Sequence, residues 1–179
     1  MKAFVVAAAA MLLTGCIPSI APLYTDRDVV SDRRVTGTWT AKNDQTMTVT
    51  ADGNGYKVLY ADTENPAHKM NFKAHLVKLG SNLFVDLFPE PPEDLACYPC
   101  VPMHMFGKLT IQGNTLKVEL FDPGWFNRMA KEGKITTGHL AAGNDSLLSG
   151  TTAEVQAFVL NYANDPKAFV GSDVWTKKP

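Results

Sequence analysis

The sequence predicts a mainly β fold: a single antiparallel β-barrel of about eight or nine short strands, with two short helices in its C-terminal third. Three observations predict it. Apolar and polar residues alternate with a period of two through most of residues 35–121. Short strand candidates recur at intervals of about ten residues, several of them joined by turns rich in glycine and asparagine. A helical period begins only after Phe121. Closure into a barrel also removes strand edges that would template aggregation.

The first strand is read at residues 35–40, rich in β-forming threonine, valine and tryptophan. Residues 46–51 alternate strictly, with Met47 and Val49 on one face. Asp52-Gly53-Asn54-Gly55 then turns the chain, because glycine and asparagine tolerate positive φ. Residues 56–61 return with Tyr56, Val58 and Tyr60 on one face, which makes a hairpin. A second pair, residues 71–79 and 83–88, surrounds Gly80-Ser81-Asn82. Its inward set is Phe72, Ala74, Leu76, Leu83, Val85 and Leu87. Phe84 and Phe88 load the opposite face, so this strand is expected to be covered on its outer side.

Residues 89–102 form the longest irregular stretch, with five prolines, Cys97 and Cys100. Residues 105–111 and 115–121 flank Gln112-Gly113-Asn114 and place Leu109 and Val118 inward. Asp122 is a suitable N-cap, Pro123 suits the first helical position and Gly133 suits the stop. Trp125, Phe126, Met129 and Ala130 share one side of that helix. Residues 134–140 and 146–149 are weaker strand candidates. Thr151 and Glu154 make a capping box for a second helix, whose Val155, Phe158, Val159 and Tyr162 form an apolar face. Residues 173–177 read as the closing strand.

With 179 residues, 45% of them hydrophobic and 20% charged, the chain is long enough for one well-filled core. A formal net charge of −1 implies neither a nucleic-acid partner nor a polybasic membrane patch.

The N-terminus stands apart. Lys2 is followed by an apolar run at residues 3–13, too short for a helix to span the roughly 30 Å of a bilayer core. This is the pattern of a secretory signal. Leu13-Thr14-Gly15-Cys16 resembles the lipobox of bacterial lipoproteins. That resemblance implies cleavage before Cys16 and acylation of its thiol and new amino group. Residues 1–15 are then signal peptide, residues 16–34 a lipidated tether and residues 35–179 the barrel domain. The implied partner is the lipid bilayer, reached through acylated Cys16. Ile17, where aspartate often retains lipoproteins in the inner membrane, implies an outer-membrane location facing the periplasm.

Gly37-Thr38-Trp39 resembles the Gly-x-Trp signature of the lipocalin superfamily. With Pro22-Leu23-Tyr24-Thr25 and the two-strand run at residues 72–87, the mature chain is similar to a group of bacterial lipoproteins with lipocalin-like domains. The resemblance implies that the tryptophan plugs one barrel end and that a small apolar ligand occupies the other. Two features depart from the pattern. The last strand offers Lys177 or Lys178 where lipocalins place an arginine over the tryptophan, and no Thr-Asp-Tyr motif follows.

Cys97-Tyr98-Pro99-Cys100 supports several readings. An exported compartment favours a disulfide. A thioredoxin-type redox pair would need the first cysteine at a helix N-terminus. A Cu(I) site would recruit His104 and Met105, with Met103 beside them. Two free thiols are the remaining reading. His68, His75 and His139 are scattered, and Glu90, Glu93 and Asp94 read as a solvated acidic loop. Known catalytic motifs are missing from the sequence, so neither an enzyme nor a cofactor is expected.

The leading expectation is a non-enzymatic envelope lipoprotein whose barrel binds a small hydrophobic ligand. Its lining would come from Met47, Val49, Tyr56, Val58, Leu76, Val85, Leu109 and Val118. The alternatives are a solid barrel that contacts an envelope protein through the acidic loop, Trp125 and Phe126, and a redox or copper-responsive factor using Cys97 and Cys100.

Overall fold

The computed structural model describes residues 16–41, 45–62, 69–90, 103–142 and 145–179. The elements, in order, are β1 (Val29–Val30), β2 (Gly37–Thr40), β3 (Gln45–Asp52), β4 (Gly55–Asp62), β5 (Lys69–Leu79), β6 (Asn82–Glu90), β7 (Met105–Gln112) and β8 (Thr115–Phe121). Then follow α1 (Pro123–Lys131), β9 (His139–Ala142), β10 (Asp145–Leu148), α2 (Thr152–Tyr162) and β11 (Phe169–Lys177). A short 3-10 turn, Arg33–Val35, precedes β2.

Eight strands close the barrel in the ring β2-β3-β4-β5-β6-β7-β8-β11, every neighbour antiparallel. The short β1 is an extra strand beside β5. The predicted barrel and late helices are therefore observed. The inward residues are those that the alternation selected, because a pleated strand can aim only every second side chain at the core.

Position 35 differs from expectation. Val35 ends the 3-10 turn and not a strand, and Asp32 caps that turn through the Arg34 amide. The later strand candidates also shift. Residues 134–138 are irregular after Gly133, which has φ of +68°, and β9 begins only at His139. Ile135 and Thr137 are buried in this irregular stretch, which explains the apolar pattern that resembled a strand.

There are two cores. One fills the barrel, from Trp39 and Tyr56 to Leu109 and Trp175. The other lies outside it, where α1, α2 and the N-terminal segment cover the outer faces of β5 to β8. Phe84, Phe106 and Phe121 supply the barrel's side of this layer, while Phe126, Val155, Phe158 and Val159 supply the helices' side. The outward Phe84 foreshadowed the cover.

Residues 16–34, expected as an irregular tether, are instead laid on the barrel as a strap. Ile17 and Leu23 are fully buried in the outer core. Backbone hydrogen bonds join Ser19 to His104 in both directions, and the Lys78 amide donates to the Asp28 carbonyl. Prolines 18 and 22 stop regular helix here but do not prevent docking through the remaining backbone groups. Trp125 and Phe126, expected as an exposed contact surface, are 4% and 0% exposed. Their apolar face is already used, packed on Phe121 and Phe158.

Candidate functional site

The barrel has one plugged end. The turns around Gly53, Gly80 and Gly113 lie at this end, as does the 3-10 turn. Trp39 is fully buried, and its indole Nε1 donates to the Val35 carbonyl at 2.8 Å. The Lys177 ammonium stands 5.2 Å from the Trp39 ring centroid and donates to the Arg34 carbonyl at 3.0 Å. Tyr56 hydroxyl accepts from the Asp32 amide at 2.8 Å. Three inward or rim side chains thus tie the 3-10 turn across the barrel. Lysine fills the place where the lipocalin resemblance implied arginine.

Gly37 is required by this closure. Its φ is +125°, and a Cβ there would lie 2.8 Å from Lys177 Cε. Both constraints favour glycine.

Inside, Val49, Tyr56, Val58, Leu76 and Leu109 are buried. Met47, Val85 and Val118 belong to the same interior but are only partly buried. All eight residues expected to line a ligand site therefore face inward together. In register with Trp39, Met47, Tyr60 and Met70 stand side by side on β3, β4 and β5, and Leu87 pairs with Met105 across β6 and β7. These five are also only partly buried. Tyr60 meets Trp175 edge to face, with ring centroids 6.2 Å apart. Among the described residues, this part of the interior is therefore apolar, aromatic and rich in thioethers, which adapt to irregular shapes.

A separate cleft of about 220 Å³ lies on the outside of β3 to β5. Its lining mixes Thr48, Thr50, Lys57, Asn71 and Glu90 with Val58, Leu59 and Phe72.

A second constellation sits under the strap. Asp86 is 1% exposed. Its Oδ2 accepts from the Leu23 amide at 2.8 Å and its Oδ1 lies 2.7 Å from His104 Nδ1. Opposite Asp86 on β5 is His75. Tyr24 stacks on His75 with centroids 4.2 Å apart, and Phe88 covers His104 at 4.7 Å. Burial lowers the His75 pKa, the Asp86 charge opposes that shift, and His104 adds to it. Ser19 is also buried here, but its Oγ donates to the Ala21 carbonyl at 2.7 Å. The hydroxyl therefore does not engage His104, and the serine–histidine–aspartate set is a clasp and not a nucleophile with its base. From the other side, Gln156 of α2 donates to the Leu23 carbonyl and to Asp28.

Cys16 is buried near this clasp, and desolvation pushes its thiol pKa up to about 12, against a hydrogen bond from the Phe106 backbone. Cys97 and Cys100 lie outside the described residues, as does His68. The proposed copper set is nevertheless divided: His104 engages Asp86 on the outside while Met105 belongs to the barrel interior. His139 hydrogen-bonds the Thr137 carbonyl and abuts Phe126. Among the described residues, no three histidine, cysteine or acidic side chains are grouped to hold a metal ion.

The sequence reading missed the clasp. Asp86 looked like an ordinary outward acid. The Gly80-Ser81 turn contained the signal, because counting outward equally from a two-residue turn reaches His75 and Asp86 together. The strap's contribution had no such local signal. Among known proteins, no family model, curated protein sequence or solved structure matches this chain.

Proposed function

We propose that this chain is an envelope lipoprotein, acylated at Cys16, whose barrel binds a small apolar ligand at the end away from the Gly53, Gly80 and Gly113 turns. The observation that carries the ligand reading is the apolar surface that Met47, Tyr60, Met70, Leu87 and Met105 leave only partly buried inside the barrel. Binding there would remove that surface from water at about 25 cal/mol per Å². Recognition would rest on shape and apolar contact. This is a binding role, without bond-making chemistry or a cofactor.

The lipid reading rests on Leu13-Thr14-Gly15-Cys16. In the folded strap the Cys16 sulfur is enclosed and held in its thiol form. Acylation therefore belongs to the chain before the strap docks, since the thiolate is the nucleophilic form.

A second reading has support in the buried side chains of the barrel interior. An eight-stranded barrel is just wide enough to be filled by side chains, and a wholly filled one would serve as a scaffold for an envelope partner. Native mass spectrometry of the chain extracted from its own membrane separates the two. The ligand reading expects an acylated chain carrying an additional small molecule that denaturation releases. An acylated chain with nothing bound would favour the scaffold.

A further inference from the structure

The strap leaves an anchor at Cys16 without slack. Ile17 is buried, Ser19 is bridged on two sides and Leu23 is tied to Asp86. Resting on the reading of Cys16 as the lipidated residue, whose side chain, buried as a free thiol, would turn outward to carry the acyl chains, this means that they hold the barrel directly against the bilayer. The domain has no leash on which to stand away.

The surface beside that anchor is apolar. Residues 18–20 join β9 and β10 in a three-stranded patch. Leu148 donates to the Pro18 carbonyl and accepts from the Ile20 amide, so Ser19 and Leu148 are lateral neighbours. On the far side of β10, Leu147 pairs with Leu140. Strand alternation sorts the patch into two faces. Ser19 and Leu148 point inward and are fully buried. Ile20 and Leu140 point outward, 53% and 61% exposed, with Pro18 and Leu147 on the same face.

We propose that this outward face, with Ile20 and Leu140 at its centre, rests in the headgroup–acyl boundary of the membrane that Cys16 anchors. The geometry commits it to lipid. Ile20 is four residues from Cys16, and four extended residues reach at most about 14 Å. Interfacial segments settle about 5–10 Å into the same boundary. The bilayer is thus the surface that the anchor always brings to this face. Acylation and docking act as two membrane signals, the combination that makes peripheral anchoring stable.

The test uses the full acylated chain on vesicles of phosphatidylethanolamine and phosphatidylglycerol with brominated acyl chains. Native Trp39, Trp125 and Trp175 are all buried and give a steady background. A Leu140→Trp variant is expected to lose about half of its added fluorescence, as an indole at the boundary meets the bromines. A Thr50→Trp variant is the control, since Thr50 is exposed on β3, directly across the ring from β7. It is expected to stay bright. An acylated, vesicle-bound Leu140→Trp chain as bright as the Thr50→Trp chain would overturn the docking proposal and leave the anchor reading standing. An intact mass without acyl groups on Cys16 would overturn both.

Discussion

The Lys177 ammonium lies over the Trp39 indole, 5.2 Å from its centroid, and also bonds the Arg34 carbonyl at 3.0 Å. One side chain from the last strand therefore locks the first strand's tryptophan and the turn that covers it. This joins the two ends of the barrel in sequence, where β11 pairs with β2 through Thr176–Thr40 and Lys177–Trp39 and the Lys178 amide donates to the Thr38 carbonyl. Replacing Lys177 by alanine should destabilise the barrel by about 1 kcal/mol, the scale of a half-exposed cation–π contact. Arginine should restore most of it. Urea unfolding of the three chains measures this, and an unchanged midpoint in the alanine variant would contradict it.

Gly37→Ala should cost more, about 1–3 kcal/mol, because a side chain there combines a strained φ with a collision against Lys177 Cε. The two components separate in a double-mutant cycle. Adding Lys177→Ala removes the collision and leaves the strain, so the double variant should be more stable than the sum of the single losses predicts. Strict additivity would show that the collision is irrelevant.

Asp86 holds the strap through the Leu23 amide and His104. Asp86→Leu should cost about 2–3 kcal/mol, as two polar partners lose a buried acceptor. The effect should be local as well as global. Hydrogen exchange at Leu23 and Ser19 should accelerate more than exchange in β3, on the far side of the barrel. Equal acceleration in both places would mean that Asp86 supports the fold at large and not the strap.

His75 gives a pH dependence with a defined sign. Its folded-state pKa is lowered, first by burial. Below its ordinary value near 6.5 the unfolded chain therefore binds the proton more readily. Its contribution is full above that value and is lost as pH falls toward the folded pKa. Wild type should thus lose more stability than His75→Phe when pH is lowered from about 7 to 5. Phenylalanine keeps a ring for Tyr24 to stack on. Parallel pH profiles for the two chains would remove His75 as the cause.

Much of the barrel was legible in the sequence because strand alternation is local. Met47, Val49, Tyr56 and Val58 could be assigned to one face from their spacing alone. The turn was legible as Gly80-Ser81-Asn82, one residue longer than the two-residue Gly80-Ser81 turn that sets the register. The strap was not legible for the opposite reason. Its hydrogen bonds reach from Leu23 to Asp86 and from Ser19 to His104, and its own residues have no period. Trp125 and Phe126 illustrate a related difficulty. Their helical face was evident, and Phe84 and Phe88 marked the outside of β6 for cover, but nothing in the spacing showed that this helix would supply it.

An apolar ligand held at the end of the barrel away from the Gly53, Gly80 and Gly113 turns would lie against Leu87. Leu87 is inward but only partly buried, paired with Met105, so tryptophan there would fill that end while leaving the plugged end intact. Native mass spectrometry should be run on wild-type and Leu87→Trp chains extracted from the same membrane. The account predicts a released small molecule from wild type and at least about a tenfold lower occupancy in the folded variant, a loss of roughly 1.4 kcal/mol in binding. A wild-type chain that carries nothing, or equal occupancy in both, would contradict it.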